Sequence, residues 1–165
     1  MAAREVLVYP HPMLKQVAAP AQAEEVEAVS RDLVDTMRSF ERCVGLAAPQ
    51  IGELSRVIAV DVRGHPKAEA TNNGLLVLAN ARIVHVEGSE VAREGCLSIP
   101  DLTANVRRAT EVTVEATDPA GRSHTIETEG FEARCLLHEI DHLDGILFLD
   151  RVDSLKTDVF RRKNL

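Results

Sequence analysis

Between residues 23 and 43 the chain reads AEEVEAVSRDLVDTMRSFERC, with Val26, Val29, Leu33, Met37 and Phe40 recurring at spacings of 3, 4, 4 and 3. That period puts the apolar positions on one face of an amphipathic helix. Glu24 and Glu25 fall in its first turn, where negative charge suits the helix start. The pattern then changes: GLAAPQIG at 45–52 mixes small residues with a proline and predicts an irregular, tightly packed segment. Short β-rich runs follow, RVIAVDV at 56–62, LLVLANARIVHV at 75–86 and EVTVEAT at 111–117. DPAG at 118–121 is a turn signal, and with SHTIETE after it predicts a hairpin. Helical spacing returns from Phe131 to Asp144, with Gly145 placed to cap it, and a last short helix is expected over Ser154 to Lys163.

These elements predict an α+β fold in which mostly antiparallel strands pack around a central helix, with an N-terminal amphipathic helix and a short C-terminal helix. No boundary interrupts the pattern, so residues 1–165 are expected to form one small domain. A chain of 165 residues is long enough to bury roughly two-thirds of its extended-chain surface. The net charge of −7 argues against direct DNA binding, because phosphate contacts need clustered Lys and Arg. The basic cluster Arg161-Arg162-Lys163 reads as a helix end and an aid to solubility. No apolar run approaches the roughly 20 residues that span a bilayer, and the first residues carry no apolar signal segment. Three cysteines under those conditions suit thiols or metal ligands better than disulfides, so a soluble, cytoplasmic protein is expected.

The central helix carries LLHEIDHLDG at 136–145, which contains H-E-x-x-H. His138 and His142 stand one turn apart on one face, so both imidazoles can reach one metal ion. Glu139 sits about 100° round from His138, close enough to hold a metal-bound water without ligating the metal. The usual third ligands of zinc proteases are missing: the position of a third His is Phe148, and no Glu occurs after Glu139. Cys135 cannot share an ion with both histidines. It lies about 10.5 Å along the axis from His142, whereas ligands of one tetrahedral ion lie roughly 3–4 Å apart. Cys135 is therefore expected to be an apolar wall residue, and Cys43 a buried thiol. Cys96, in REGCLSIP beside the small Gly95 and with Pro100 expected to end the run, is left as the favoured third ligand against a buried-thiol alternative. Three protein ligands leave a fourth position for water, the geometry of a catalytic metal. Phe131, Cys135, His138 and His142 are spaced 4, 3 and 4; with Val44 opposite they read either as an apolar substrate slot beside the metal or as a core-facing stripe.

Three segments in order resemble the peptide deformylase family. CVGLAAPQ at 43–50 matches its G-x-G-L-A-A-x-Q motif, with Cys43 in place of the first Gly. EGCLS at 94–98 stands unaltered, and LHEIDH at 137–142 matches Q-H-E-x-D-H with Leu137 in place of Gln. YPHPMLK near the start, Val106, Arg108 and LFLDRV after the third motif fit as well, so the resemblance covers essentially the whole chain. It implies removal of the formyl group from the N-terminal methionine of a nascent chain or other N-formylmethionyl peptide, with association to the ribosome as a further expectation. It also implies one divalent ion, Fe(II) or in its place Zn, Ni or Co, held by Cys96, His138 and His142. Glu139 becomes the general acid/base, and Gln50 and the backbone N–H of Leu97 polarise the formyl oxygen. Val44, Gly45 and Gly95 pair with the substrate backbone as an added strand. Two departures bear on this: Leu137 lacks the amide of the family's Gln, so Asp141 is a candidate to orient an imidazole instead, and Cys43 asks for a negative φ where a Gly would be free. Glu94 and Arg108 are a candidate ion pair stiffening the second motif. The alternative function is a deformylase-like metal-binding protein with weak or no activity, and a general metallopeptidase is disfavoured by its missing ligands.

Overall fold

The computed structural model describes residues 3–162. Helix α1, Ala23–Arg38, buries Val26, Val29, Leu33 and Met37 as the spacing predicts, and Glu25 accepts from the backbone N–H of Gln22 at 3.0 Å across its first turn. Phe40 lies beyond the helix end and is exposed, because the chain has already turned away from the helical face.

Strands β1 (Gly45–Ala47), β2 (Val57–Val60), β3 (Leu76–Glu87), β6 (Glu111–Thr117) and β7 (Ser123–Glu129) form one antiparallel sheet in the order β1-β2-β3-β6-β7. β2 is buried along its whole length, and its two faces serve different cores. Val57 and Ala59 pack toward α1 with Leu33, Met37 and Leu46, while Ile58 and Val60 pack with Leu136, Ile140 and Leu143. Alternation of side chains along a strand makes that division possible. The predicted hairpin joins β6 to β7, with the N–H of Gly121 donating to the carbonyl of Asp118 at 2.9 Å.

Helix α2, Gly130–Leu143, has every residue from 132 to 143 buried. It is the central helix, packed on the large sheet on one side and on a second, three-stranded sheet on the other. That sheet consists of β4 (Glu90–Cys96), β5 (Ile99–Arg108) and β8 (Val159–Arg161) in the order β4-β5-β8. Its apolar face gathers Ala104, Val106, Leu14, Leu147 and Phe148 into a third core. Gly145 ends the helix as expected at φ 72°; a Cβ there would come within 2.6 Å of the Lys15 carbonyl oxygen.

Three expectations change. Pro100 does not end a run: it is the second residue of β5, next to the tight β4–β5 turn, where a missing N–H is tolerated. The GLAAPQIG segment is partly regular, forming β1 and then a 3₁₀ turn at Ala48–Ile51. The short C-terminal helix is a single 3₁₀ turn at Phe148–Arg151, not Ser154 to Lys163. Val159–Arg161 instead pair with Leu102–Ala104 at the edge of β5, where Val159 and Phe160 gain more from a half-buried strand than from two turns of helix. Lys163 lies outside the described residues. Among those residues, no helix is long and apolar enough to cross a membrane.

Candidate metal centre

Helix α2 and the β4–β5 hairpin bring three donors together. Cys96 is the last residue of β4, and its Sγ stands 3.4 Å from Nε2 of His142. One donor atom each from Cys96, His138 and His142 lies within 4.8 Å of the others. With metal bonds of about 2.0–2.3 Å, a sulfur and a nitrogen of one tetrahedral ion lie roughly 3.5 Å apart, so the observed spacing fits a single ion. Cys135 lines the adjoining cleft but is outside this cluster, as the axial distance along the helix requires.

The orientation of His138 is fixed from behind. Glu94, two residues before Cys96 on β4, faces α2 from the same side of the strand and accepts from His138 Nδ1 at 2.9 Å. Its carboxylate also receives Arg108 Nε (2.7 Å) and Nη2 (3.0 Å) and Arg134 Nη1 (2.7 Å). Burial alone would raise the Glu94 carboxyl, but the hydrogen bonds from His138 and Arg108 outweigh it and hold the group well below the usual carboxylate range. Arg134 further donates to the carbonyls of Val106 and Glu90, both at 2.8 Å. The expected Glu94–Arg108 pair is present and buried, and it does more than stiffen the motif, since it anchors a candidate ligand.

Asp141 does not orient an imidazole. It accepts from Arg108 Nη1 at 2.7 Å and from Arg151 Nη2 at 2.9 Å, extending the same network to the 3₁₀ turn. On a helix Asp141 stands nearly a full turn from His138, and Glu94 on the facing strand reaches that imidazole first. Leu137 is buried in the core beneath the large sheet, so the position of the family's amide is filled by packing. The Nδ1 atom of His142 is buried with no hydrogen-bond partner.

Glu139 is 5% exposed, and its Oε1 has no hydrogen-bond partner. Burial pushes its carboxyl up to about 7. Gly45 makes room for it: a Cβ at Gly45 would stand 2.6 Å from Oε2 and 3.0 Å from Cγ of Glu139. Gln50, at the end of the 3₁₀ turn after β1, is 2% exposed. Its Oε1 accepts from the N–H of Ala47 at 2.9 Å, while Nε2 donates to Ser98 Oγ at 3.0 Å and approaches Cys96 Sγ at 3.4 Å. The amide is thereby locked with its N–H groups toward the donor cluster.

A cleft of about 420 Å³ opens onto these groups, lined by Val44, Gly45, Gly95, Leu97, Phe131 and Cys135 among others. The sequence-predicted site residues therefore converge on one place. Phe131 is half-buried against His65, ring centroids 4.5 Å apart, and so belongs to the cleft wall. Cys43 also lines the cleft; among the described residues Asn80 is the one non-glycine with positive φ, so Cys43 adopts a backbone open to any residue. Burial and then the Glu139 charge push the Cys43 thiol up to about 12, and the same two causes raise Cys135 well above the ordinary thiol range. Both stay thiols, which separates them from a metal-ligating thiolate.

Sequence reading missed Ser98, Arg134 and the hold of Glu94 on His138. No spacing rule links strand β4 to helix α2, and only the packing of one on the other makes the contact. It also misread Arg162, which belongs to no helix end but lines the cleft with Arg42, Lys67 and Arg93.

The profile of the polypeptide deformylase family matches residues 3–158. The chain is 42% identical to the peptide deformylase of Alkalilimnicola ehrlichii over 99% of its own length and 89% of that protein. It is 44% identical to that of Thermomicrobium roseum, over 95% of this chain and 90% of the relative. The crystal structure of a peptide deformylase from Legionella pneumophila superposes with a TM-score of 0.83 at 40% identity, covering 94% of this chain and 89% of that one. Sequence, fold and the disposition of the three motifs agree, and the chain belongs to the polypeptide deformylase family.

Proposed function

We propose that this protein hydrolyses the formyl group from N-formylmethionyl peptides with one divalent ion held by Cys96, His138 and His142. The observation that carries the reading is a buried carboxylate, Glu139, with an unpartnered oxygen beside three donors spaced for one ion. The ion supplies a Lewis acid and lowers the pKa of a water that it binds. Fe(II) suits the mixed thiolate and imidazole set, and Zn, Ni or Co fit the same donors.

The residues of the chain supply the rest. Glu139, raised toward neutrality by burial, takes a proton from the attacking water and passes it to the leaving amine, a service worth about 10²–10⁴-fold. Gln50, whose amide is locked by Ala47 and Ser98, presents an N–H to the formyl oxygen as charge develops there. The backbone N–H of Leu97 joins it, and loss of one such donor costs about 3 kcal/mol. Val44, Gly45 and Gly95 border the cleft on two sides, so an extended peptide pairs with them as an added strand. Phe131, Cys135 and Val44 give the methionine side chain an apolar wall. Glu94 keeps His138 in one tautomer and one orientation, so the ligand does not have to be ordered at each turnover. The substrate in the cell is a nascent chain in the cytoplasm.

Formate release from formyl-Met-Ala-Ser by protein prepared anaerobically with Fe(II), with Glu139→Ala alongside, tests the reading. Rapid release that the variant loses is the expected result. Failure to release formate by a protein holding one metal per chain would sink it.

A further inference from the structure

The cations of this chain divide by whether they have found a carboxylate. On the surface, Arg4, Arg31, Arg38, Arg63, Arg82 and Arg107 each pair with an acid. Behind the metal centre Arg108, Arg134 and Arg151 do the same. Arg42, Lys67, Arg93 and Arg162 all line the cleft, and among the described residues none of them is in an ion pair; Arg122, Lys156 and Arg161, also in none, are exposed and scattered outside it. The acids that line the same cleft are Glu94, already occupied by two arginines, and the buried Glu139. The mouth is thus positive on a protein of net charge −7.

These side chains are placed rather than merely nearby. The guanidinium of Arg93 lies 3.9 Å over the Phe160 ring, and it donates to Asn105 Oδ1 at 3.0 Å and Thr103 Oγ1 at 3.4 Å. All three partners are neutral, so its charge is oriented without being cancelled. Arg162 is brought to the cleft by β8, where its N–H donates to the Asp101 carbonyl at 2.8 Å. Its guanidinium rests on Gly95, in space that any Cβ there would claim, and its Nε is buried with no hydrogen-bond partner. Across the cleft, Arg42 precedes β1 and Lys67 lies in the loop beside His65, facing the same opening.

Spacing says which part of a substrate meets them. A chain whose formyl end sits at Cys96 and which pairs along β4 passes Gly95 and then Arg93. Residues two apart on a strand face the same side and are separated by about 7 Å. The side chains of the second to fourth peptide residues therefore run between Arg93 and Arg162 on one wall and Arg42 and Lys67 on the other. We propose that these four cations make the cleft select formylated chains carrying Asp or Glu at the second to fourth positions. The inference rests on the deformylase reading, which supplies the direction of the bound peptide.

The test uses three peptides amidated at the C-terminus so that only side chains differ in charge: formyl-Met-Asp-Glu, formyl-Met-Ala-Ser and formyl-Met-Lys-Arg. With several unpaired cations in the mouth, kcat/KM for the acidic peptide exceeds that for the basic one by about tenfold near 0.1 M salt. At 1 M salt, where the screening length falls to about 3 Å, the ratio falls toward one. The double variant R93E/R162E reverses the order while its melting temperature stays near that of the parent. Equal rates for all three peptides, or a preference for the basic one, overturn the proposal. Binding of fluorescently labelled copies reads the same ratio without turnover. Failure to hydrolyse formyl-Met-Ala-Ser with the acidic preference retained in binding counts against the reaction and upholds the selection. Equal binding of all three together with tight binding of an RNA oligonucleotide overturns it in favour of a nucleic-acid contact.

Discussion

The back of the candidate metal centre and its mouth are both rich in arginine, and they use it in opposite ways. Behind His138, Glu94 and Asp141 take up Arg108 and Arg134, both buried, and Arg151, which reaches in from the surface, so each cation there has an acid. At the mouth Arg42, Lys67 and Arg93 are exposed and Arg162 is half-buried, and among the described residues none of them has an acid. A buried charge without a partner is too unfavourable to persist, so every cation at the back is matched and the result is a fixed scaffold. An exposed one is solvated cheaply and can be left free for a ligand. On the function and the selectivity proposed above, pairing state at this site separates residues that position the chemistry from residues that meet the substrate.

The largest test of that contrast is at the back. Glu94→Ala leaves the buried Arg134 without an acid, leaves Arg108 with Asp141 alone and releases His138, so unfolding free energy should fall by about 3–5 kcal/mol. Metal affinity should fall by about 10–100-fold in a chelator competition. A loss under about 1 kcal/mol in urea titration would show that the network is solvated and the contrast false.

Gly45 joins the two regions, because it borders the cleft and touches Glu139. Gly45→Ala puts a methyl group within 2.6 Å of that carboxylate. Relief of the overlap should cost about 1–3 kcal/mol, read mainly as lower kcat with the metal content kept. Full activity would mean that Glu139 has room to move, against its role as a fixed base.

A smaller effect comes from Asp61, a carboxylate shared by two arginines as Glu94 is, except that Arg63 and Arg38 are 59% and 51% exposed. The hydrogen bond from Arg63 outweighs burial and lowers its carboxyl to about 2, below the ordinary 3.8. A lowered carboxylate stabilises the fold above its unfolded pKa, and that stabilisation is lost as pH falls through the folded value. Asp61→Asn should thus lose about 1 kcal/mol near neutral pH, after allowance for solvent screening of the arginines. The difference from the parent should close between about pH 4 and pH 2. A difference constant over that window would rule out the ion pair as its cause.

Least affected should be the mouth. Arg93→Ala and Arg162→Ala are expected to change unfolding free energy by no more than about 0.5 kcal/mol, measured in the same urea titration. A loss comparable to that of Glu94→Ala would make them structural and erase the distinction.

The sequence by itself determined a good deal here. The spacing of Val26, Val29, Leu33 and Met37 gave α1, and that of the histidines gave the helix that carries two of the candidate ligands, because helical periodicity is local and survives without tertiary contacts. Elimination of Cys135 by helix geometry pointed to Cys96, and the motif resemblance placed Gln50 and Glu139. What the tertiary structure decided is what depends on one element lying against another. Glu94 rather than Asp141 holds His138, because β4 packs on α2. Val159–Arg161 form a strand because β5 offers a free edge. Arg162, at the end of that strand, thereby reaches the cleft over Gly95, a contact set by the pairing of residues more than fifty positions apart along the chain. Local sequence fixes periodicity and ligand type, whereas the partner of a charge is chosen by whichever group the fold brings within reach.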